Sequence, residues 1–470
     1  MNTPTAESAS PAAALTFPEG FLWGAATAAF QIEGSTRADG RSDSIWDAFC
    51  RVPGAVDGGD TGEPAADHYR RMSDDVAMMA DLGLGAYRFS IAWPRVCPRG
   101  DGVANAPGLD FYSRLVDELL DAGITPWVTL YHWDLPQILE EGGGWTARDT
   151  AQRFGDYAGV TASALGDRVR FWTTLNEPAC SAFLGYSAGI HAPGRTEPEA
   201  GVAAAHQLML AHGLGVQAIR AAVAEAQVGI TLNFAPVSPA DPDSPADVDA
   251  ARRIDGLQNR IFADAVVAGT YPDDVLADLA PLGLPEHIAD GDLAVISTPI
   301  DLLGVNFYRD AVVTVGGPGV LPTPWPGAAD VVFVERDLPR TGQDWEVTPD
   351  GLRRLLVDLD HAYPGLPLYV TENGAAYPDI VDPDGRVRDV ERTRFLDAHV
   401  RACHAALAEG VDLRGYLAWS LLDNFEWAFG YAQRFGIVRV DYDTQRRTVK
   451  DSGHWFSQVA KTNRVPASAP

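Results

Sequence analysis

Short apolar, β-rich runs recur along the chain at 21–29, 86–93, 124–133, 170–175, 228–234, 301–308, 368–370 and 415–421. Each is too brief for a helix and rich in residues that suit a pleated, buried surface, so each predicts a strand. Between them the apolar period changes to 3.6. Leu109, Tyr112, Leu115, Val116, Leu119 and Leu120 share one helical face that stops at Gly123. The same pattern predicts helices over 67–82, 146–165, 202–226, 247–268, 349–363, 390–409 and 452–459. The pair Thr348-Pro349 reads as a cap and first turn.

Alternating strands and helices call for a parallel sheet with crossover helices. Eight of each favour closure into a ring over an open doubly wound sheet. The fold class is therefore α/β, a (β/α)8 TIM barrel, in a single domain with extended βα loops. It is expected to span 16–462, after a disordered leader at 1–15 and before a tail at 463–470. The surplus over an ordinary barrel sits in Pro/Gly/Asp-rich loops at 50–64, 236–245 and 316–341.

Composition narrows the partners. Hydrophobic residues make up 46% and charged residues 21%, enough for a large core. With 36 Lys and Arg against 64 Asp and Glu, the net charge is −28. That surface repels phosphate backbones and anionic headgroups, so no nucleic acid and no membrane is expected as partner. Lysine occurs only at Lys450 and Lys461, which reads as compositional or surface bias. Cys50, Cys97, Cys180 and Cys403 form neither a disulfide framework nor a zinc spacing. No apolar run reaches about 18 residues, and the first residues lack the features of a secretory signal. The expectation is a cytoplasmic protein without metal or cofactor.

In such a barrel the reactive side chains sit where strands end at their C-terminal side. The residues there are Gln31, Trp93-Pro94-Arg95, His132-Trp133-Asp134, Asn176-Glu177-Pro178, Asn233-Phe234, Asn306-Phe307-Tyr308, Glu372-Asn373-Gly374 and Trp419-Ser420, followed by Asp423 to Trp427. Amides, imidazole and carboxylates bind hydroxyls as donors and acceptors, and indoles stack on flat C–H faces; a sugar presents both. Cleaving a glycosidic bond needs two carboxyl groups flanking it, and Glu177 and Glu372 are the natural pair. Each residue alone has a plainer reading. Either glutamate suits a solvated loop, Glu372-Asn373-Gly374 suits a turn with glycine at positive φ, His132 suits a core, and the tryptophans suit packing. Their joint placement at strand ends favours a site.

Three decoys weigh less. Gly185-Tyr186-Ser187-Ala188-Gly189 matches a nucleophile elbow but lacks a strand before it and a clean helix start after it. His206 and His212 are not spaced as zinc ligands. Asp382-Pro383-Asp384-Gly385 reads as a turn, not a calcium loop.

These residues stand within a longer ordered set: Phe17 to Gly24, Gln31-Ile32-Glu33-Gly34, Tyr87 to Arg95, His132 to Pro136, Thr174 to Pro178, Asn306 to Tyr308, Tyr369 to Gly374 and Trp419 to Trp427. In them the chain resembles glycoside hydrolase family 1, the retaining β-glucosidase family. The resemblance implies Glu177 as general acid/base and Glu372 as nucleophile. It implies sugar contacts from Gln31, His132, Asn176, Trp419, Glu426 and Trp427, with Trp133, Asn306, Tyr308 and Phe435 completing the wall. Tyr308 would position the nucleophile, Trp345 would line the leaving-group side, and the Trp419-Ser420 bond would be cis. The activity implied is release of terminal β-D-glucosyl residues from small-molecule β-glucosides or cello-oligosaccharides. β-Galactosidase or β-fucosidase side activity and transglycosylation are alternatives; an inert sugar-binding barrel and a serine esterase are remote ones. The Glu426-Trp427 pair argues against 6-phosphosugars, and Glu177 in place of Gln argues against thioglucosides.

Overall fold

The computed structural model describes residues 14–319 and 321–467. All the expected strands form: Leu22–Ala26 (β1), Ala86–Ser90 (β2), Thr125–Tyr131 (β3), Phe171–Asn176 (β4), Gln227–Asn233 (β5), Leu302–Asn306 (β6), Leu368–Asn373 (β7) and Leu413–Trp419 (β8). Each pairs in parallel with its neighbours, and β8 closes on β1 from Gly415↔Leu22 to Trp419↔Ala26. The sheet is therefore a closed barrel, not an open wound sheet. Strands covered by helices outside and by one another's side chains inside are buried on both faces, which is why they read as nearly unbroken apolar runs.

The crossover helices are His68–Leu82 (α1), Ala106–Asp121 (α2), Arg148–Leu165 (α3), Pro198–Ala222 (α4), Pro245–Asp255 (α5), Pro349–Ala362 (α6), Val390–Ala408 (α7) and Asp451–Thr462 (α8). Gly83 ends α1 in the left-handed region at φ +73°, where a side chain would be strained. The helix expected over 247–268 is interrupted. α5 widens into a π-turn at Gly256–Arg260 before resuming at Ile261–Val267. The wide turn lets Gln258 donate to Asn233 O at 2.6 Å and Asn259 bond both backbone groups of Ala235, docking the helix on the end of β5. Thr348 does not cap α6 with its side chain; its Oγ1 accepts the Asp310 N–H at 3.0 Å instead.

Two of the expected loops, 236–245 and 316–341, supply strands. Val237–Pro239, Ala311–Val315 and Val331–Phe333 form a small three-stranded sheet beside the barrel mouth. The Asp382-to-Gly385 segment is a turn, closed by Gly385 N–H donating to Asp382 O at 2.8 Å. Leu15–Thr16 pairs antiparallel with Arg464–Val465, so the boundaries expected after Leu15 and before Asn463 fall inside or beside this ribbon. The rest of the expected leader, 1–13, and the last three residues of the tail lie outside the described residues. Among the described residues, no helix is long and apolar enough to cross a membrane.

Candidate active site

Irregularities at two strand ends aim the two glutamates. β4 pairs with β5 at Thr173↔Gly229 and next at Asn176↔Thr231, one residue more on β4 than on β5. β7 does the same against β6, from Val370↔Val305 to Glu372↔Asn306. Such bulges re-aim side chains beside sites. Glu177 follows immediately, held by its N–H to Thr231 O at 2.9 Å with φ at +48°. Glu372 lies within β7, not beyond it, and Glu372-Asn373-Gly374 is not a turn. Gly374 is required by close approach: a Cβ there would sit 1.7 Å from the Trp419 carbonyl oxygen.

One cavity of about 330 Å³ is lined by Glu177, Glu372, His132, Trp133, Tyr308, Trp345, Trp419, Glu426, Trp427 and Phe435. Gln31, Asn176 and Asn306 brace this wall through hydrogen bonds. Gln31 Nε2 donates to Asn424 Oδ1 at 2.9 Å and Phe425 O at 2.8 Å, fixing the loop that carries Glu426. Asn306 Nδ2 donates to Glu177 Oε1 at 2.6 Å and to Asn176 Oδ1 at 3.1 Å. Its own Oδ1 accepts from the Thr371 hydroxyl at 2.8 Å.

The two carboxyl groups have different neighbours. Glu372 Oε1 accepts from Arg88 Nη1 at 2.7 Å, and Oε2 accepts from the Tyr308 hydroxyl at 2.8 Å. Burial leaves its pKa above the ordinary value, and Arg88 and Tyr308 offset part of that rise by favouring the carboxylate. Among the described residues Glu177 has no cation in contact; Oε1 takes the Asn306 amide and Oε2 the Cys180 thiol at 3.3 Å. Burial first, then the charge of Glu372, push Glu177 up to about 8. Glu426 is likewise pushed to about 8 by burial and by the charges of Glu372 and Glu177.

Arg88 also sets a tautomer. Asn176 Oδ1 accepts from Arg88 Nη2 at 2.6 Å, so the Asn176 amide nitrogen must face His132 Nε2, 3.1 Å away. That nitrogen therefore accepts, and the ring proton sits on Nδ1. Burial and then Arg88 hold His132 well below its ordinary pKa, so the ring is neutral.

Aromatic rings form the walls. Trp133 and Trp427 lie 4.5 Å apart, and His132 stacks 5.7 Å from Trp419 at 19°. Trp46 backs Trp427 at 4.7 Å, and Tyr308 meets Trp345 edge-on at 5.4 Å. Trp133 and Trp427 both have positive φ, +75° and +53°. Each such conformation costs of order 1 kcal/mol or more and persists only where packing holds it. The Trp419-Ser420 peptide is cis.

The decoys resolve as structure. Ser187 is buried at the end of a π-helical turn, Cys180–Ser187, and its hydroxyl donates to Thr323 O at 2.7 Å. No strand immediately precedes it. His206 pairs with Asp292 and Tyr271 at 3.0 Å each, and His212 with Thr174 at 2.7 Å.

Arg88, Cys180 and Lys450 are among the residues that escape the strand-end rule, as are His191 and Gln343 on the cavity wall. Arg88 is visible in retrospect as a lone charge inside an otherwise apolar strand, since unpaired arginines are almost never fully buried. Cys180 looks like a small core residue. Lys450, expected as surface bias, is fully buried between Asp379 and Asp423, and meets Asp423 Oδ1 at 2.7 Å.

A family model described as glycosyl hydrolase family 1 matches residues 13–465. Beta-glucosidase A of Thermotoga maritima is 47% identical over 452 residues, covering 95% of this chain and 98% of the relative. Thermostable beta-glucosidase B of Thermobispora bispora is 51% identical, covering 96% and 91%. A bifunctional beta-D-glucosidase/beta-D-fucosidase of Bifidobacterium breve is 48% identical, covering 94% and 97%. Among solved structures, the psychrophilic beta-glucosidase of Micrococcus antarcticus superposes with a TM-score of 0.93 at 52% identity, covering 96% and 98%. The Thermotoga maritima family 1 enzyme in complex with isofagomine lactam gives 0.91 at 45% identity, covering 96% and 100%.

Proposed function

The chain belongs to glycosyl hydrolase family 1, and from that premise we propose that it is a retaining β-glucosidase that releases terminal β-D-glucosyl residues from β-glucosides and cello-oligosaccharides. The observation that carries this reading is the asymmetry between two buried carboxyl groups on one cavity. Glu372 has a guanidinium and a phenol to hold its charge; Glu177, pushed up to about 8, keeps its proton at neutral pH. A pair split in this way supplies a nucleophile and an acid together.

In the first step a Glu372 oxygen bonds to the anomeric carbon as the glycosidic C–O bond breaks, and the Glu177 proton passes to the departing oxygen. Bonding of Glu372 to the sugar removes its charge, which lowers the pKa of Glu177 and makes it the base for water. Water then gives its proton to Glu177 and attacks the anomeric carbon, the Glu372 ester breaks, and both side chains return to their starting states. Neutral His132, Gln31, Asn176 and Glu426 supply hydrogen bonds to the hydroxyls, and Trp419 and Trp427 supply the stacking face.

The test is Glu372→Ala with and without azide. The variant is expected to lose nearly all turnover of an aryl β-glucoside, and azide is expected to restore it with the α-glycosyl azide as product. Full activity in the variant ends the assignment. A second substrate, the β-fucoside, is favoured by the similarity to the bifunctional Bifidobacterium breve enzyme.

A further inference from the structure

The cavity holding Glu177 and Glu372 borders a second one of about 150 Å³, and Asn233, Tyr308, Arg309 and Trp345 line both. Aromatic residues wall the second chamber, among them Trp325 and Phe333, whose rings lie 5.5 Å apart. Arg309, shared by both walls, holds its guanidinium 5.5 Å from the Trp345 ring centroid.

The acids around Arg309 are occupied by other residues. Asp310 pairs with Arg336 and Arg354, Asp344 with Arg340, and Glu346 with Arg336 and Arg340. Arg309 is exposed to solvent at the cavity wall and has no ion-pair partner among the described residues. An accessible cation with no carboxylate of its own, beside an aromatic chamber, suits a ligand that brings an anion on a flat apolar body. A neutral cello-oligosaccharide gives this charge nothing to pair with.

Resting on the β-glucosidase reading above, we propose that the preferred leaving group is an aromatic ring bearing a carboxylate, with the ring against Trp345 and the aromatic chamber and the carboxylate on Arg309. The acidic surface does not forbid it, because exposed charges beyond about 8 Å are largely screened at physiological salt, whereas Arg309 acts in contact.

The experiment compares 4-carboxyphenyl with 4-carbamoylphenyl β-glucoside, which share shape and differ in charge. The quantity read is the ratio of their kcat/KM values in the wild type, Arg309→Gln and Arg309→Lys. Arg309→Gln is expected to lower the carboxylate-to-carboxamide ratio about tenfold, the scale of one hydrogen bond to a charged group. Arg309→Lys is expected to keep part of it, and the wild-type ratio is expected to fall as salt rises. A ratio unchanged within twofold in Arg309→Gln overturns the proposal, as does a salt-independent wild-type ratio if that variant does not fold. Turnover of the carboxamide by the wild type separates the two readings: with it, only the anion proposal fails; without it, the β-glucosidase reading fails as well.

Discussion

The guanidinium of Arg88 and the carboxylate of Glu372 meet at 2.7 Å with both side chains withdrawn from solvent. Arg88 comes from β2 and Glu372 from β7, strands that do not pair with each other, so the contact crosses the barrel interior. The same guanidinium orients Asn176, and through it His132. One side chain thus holds the nucleophile's charge and fixes the hydrogen-bonding sense of part of the sugar-binding wall.

Arg88→Met should therefore affect chemistry before binding. Without its cation, Glu372 ionises less readily, and the acid limb of the kcat/KM profile is expected to move up by about one unit or more. Activity at neutral pH should fall at least about 100-fold. Removing one partner of a buried pair should also cost about 3–5 kcal/mol of stability, read from urea unfolding. An unmoved acid limb would show that Arg88 does not hold the charge of Glu372.

The alkaline limb belongs to Glu177, which must be protonated for the first step and sits near 8. Cys180 is so strongly pushed up by burial that its thiol stays protonated, and it donates to Glu177 Oε2. A donor to the charged form favours that form, so Cys180→Val is expected to raise the alkaline limb by about half a unit, and Cys180→Ser, a better donor, to lower it. The shift should show most clearly with poor leaving groups, since activated ones depart without the acid. Limbs that move the same way in both variants would reduce Cys180 to packing.

Strand and helix periodicity made the barrel legible, because burial on both faces leaves a continuous apolar signature in a strand. The rim was legible because chemistry at strand ends uses residue types that packing does not need. Arg88 and Lys450 were not, because their function is to neutralise buried carboxylates contributed by distant segments, and partners far apart in the chain leave no local pattern. The sheet built from 237–239, 311–315 and 331–333 was hidden for a related reason: its strands are short, only partly buried and set among prolines and glycines. The π-turn at Gly256–Arg260 preserves an apparently ordinary helical pattern while shifting it by one residue.

Asp134 predicts a pH-dependent stability. Both of its carboxylate oxygens are buried without a hydrogen-bond partner among the described residues, and burial pushes its pKa to about 8. In the unfolded chain an aspartate ionises near 3.9. The native state therefore holds a proton that the unfolded state has lost, so this group's contribution falls as pH climbs from about 4 to 8 and then levels off. Asp134→Asn removes that slope. Its Tm relative to wild type is expected to improve steadily from pH 5 to 8 in calorimetry; parallel curves would mean that Asp134 is ionised in the fold.

Lys450 links stability to sugar binding. It lies between Asp379 and Asp423, and Asp423 also accepts from Arg434 at 2.7 Å and from the Gly436 and Val440 N–H groups at 3.1 and 3.3 Å. Burial alone would raise the Asp423 pKa, but Lys450 and Arg434 hold it below the ordinary value. Asp423 stands three residues before Glu426, so this knot anchors the loop that carries Glu426 and Trp427. Lys450→Met leaves two buried carboxylates sharing arginines alone and is expected to cost about 3–5 kcal/mol. Loosening the loop should raise KM for glucosides more than it lowers kcat, because Glu426 acts on the bound sugar while Glu372 and Glu177 stay on β7 and beside β4. Lys450→Arg keeps the charge and should recover part of the stability. Wild-type stability together with unchanged KM in Lys450→Met would show that Arg392, 3.0 Å from Asp379, and Arg434, on Asp423, suffice to neutralise the pair.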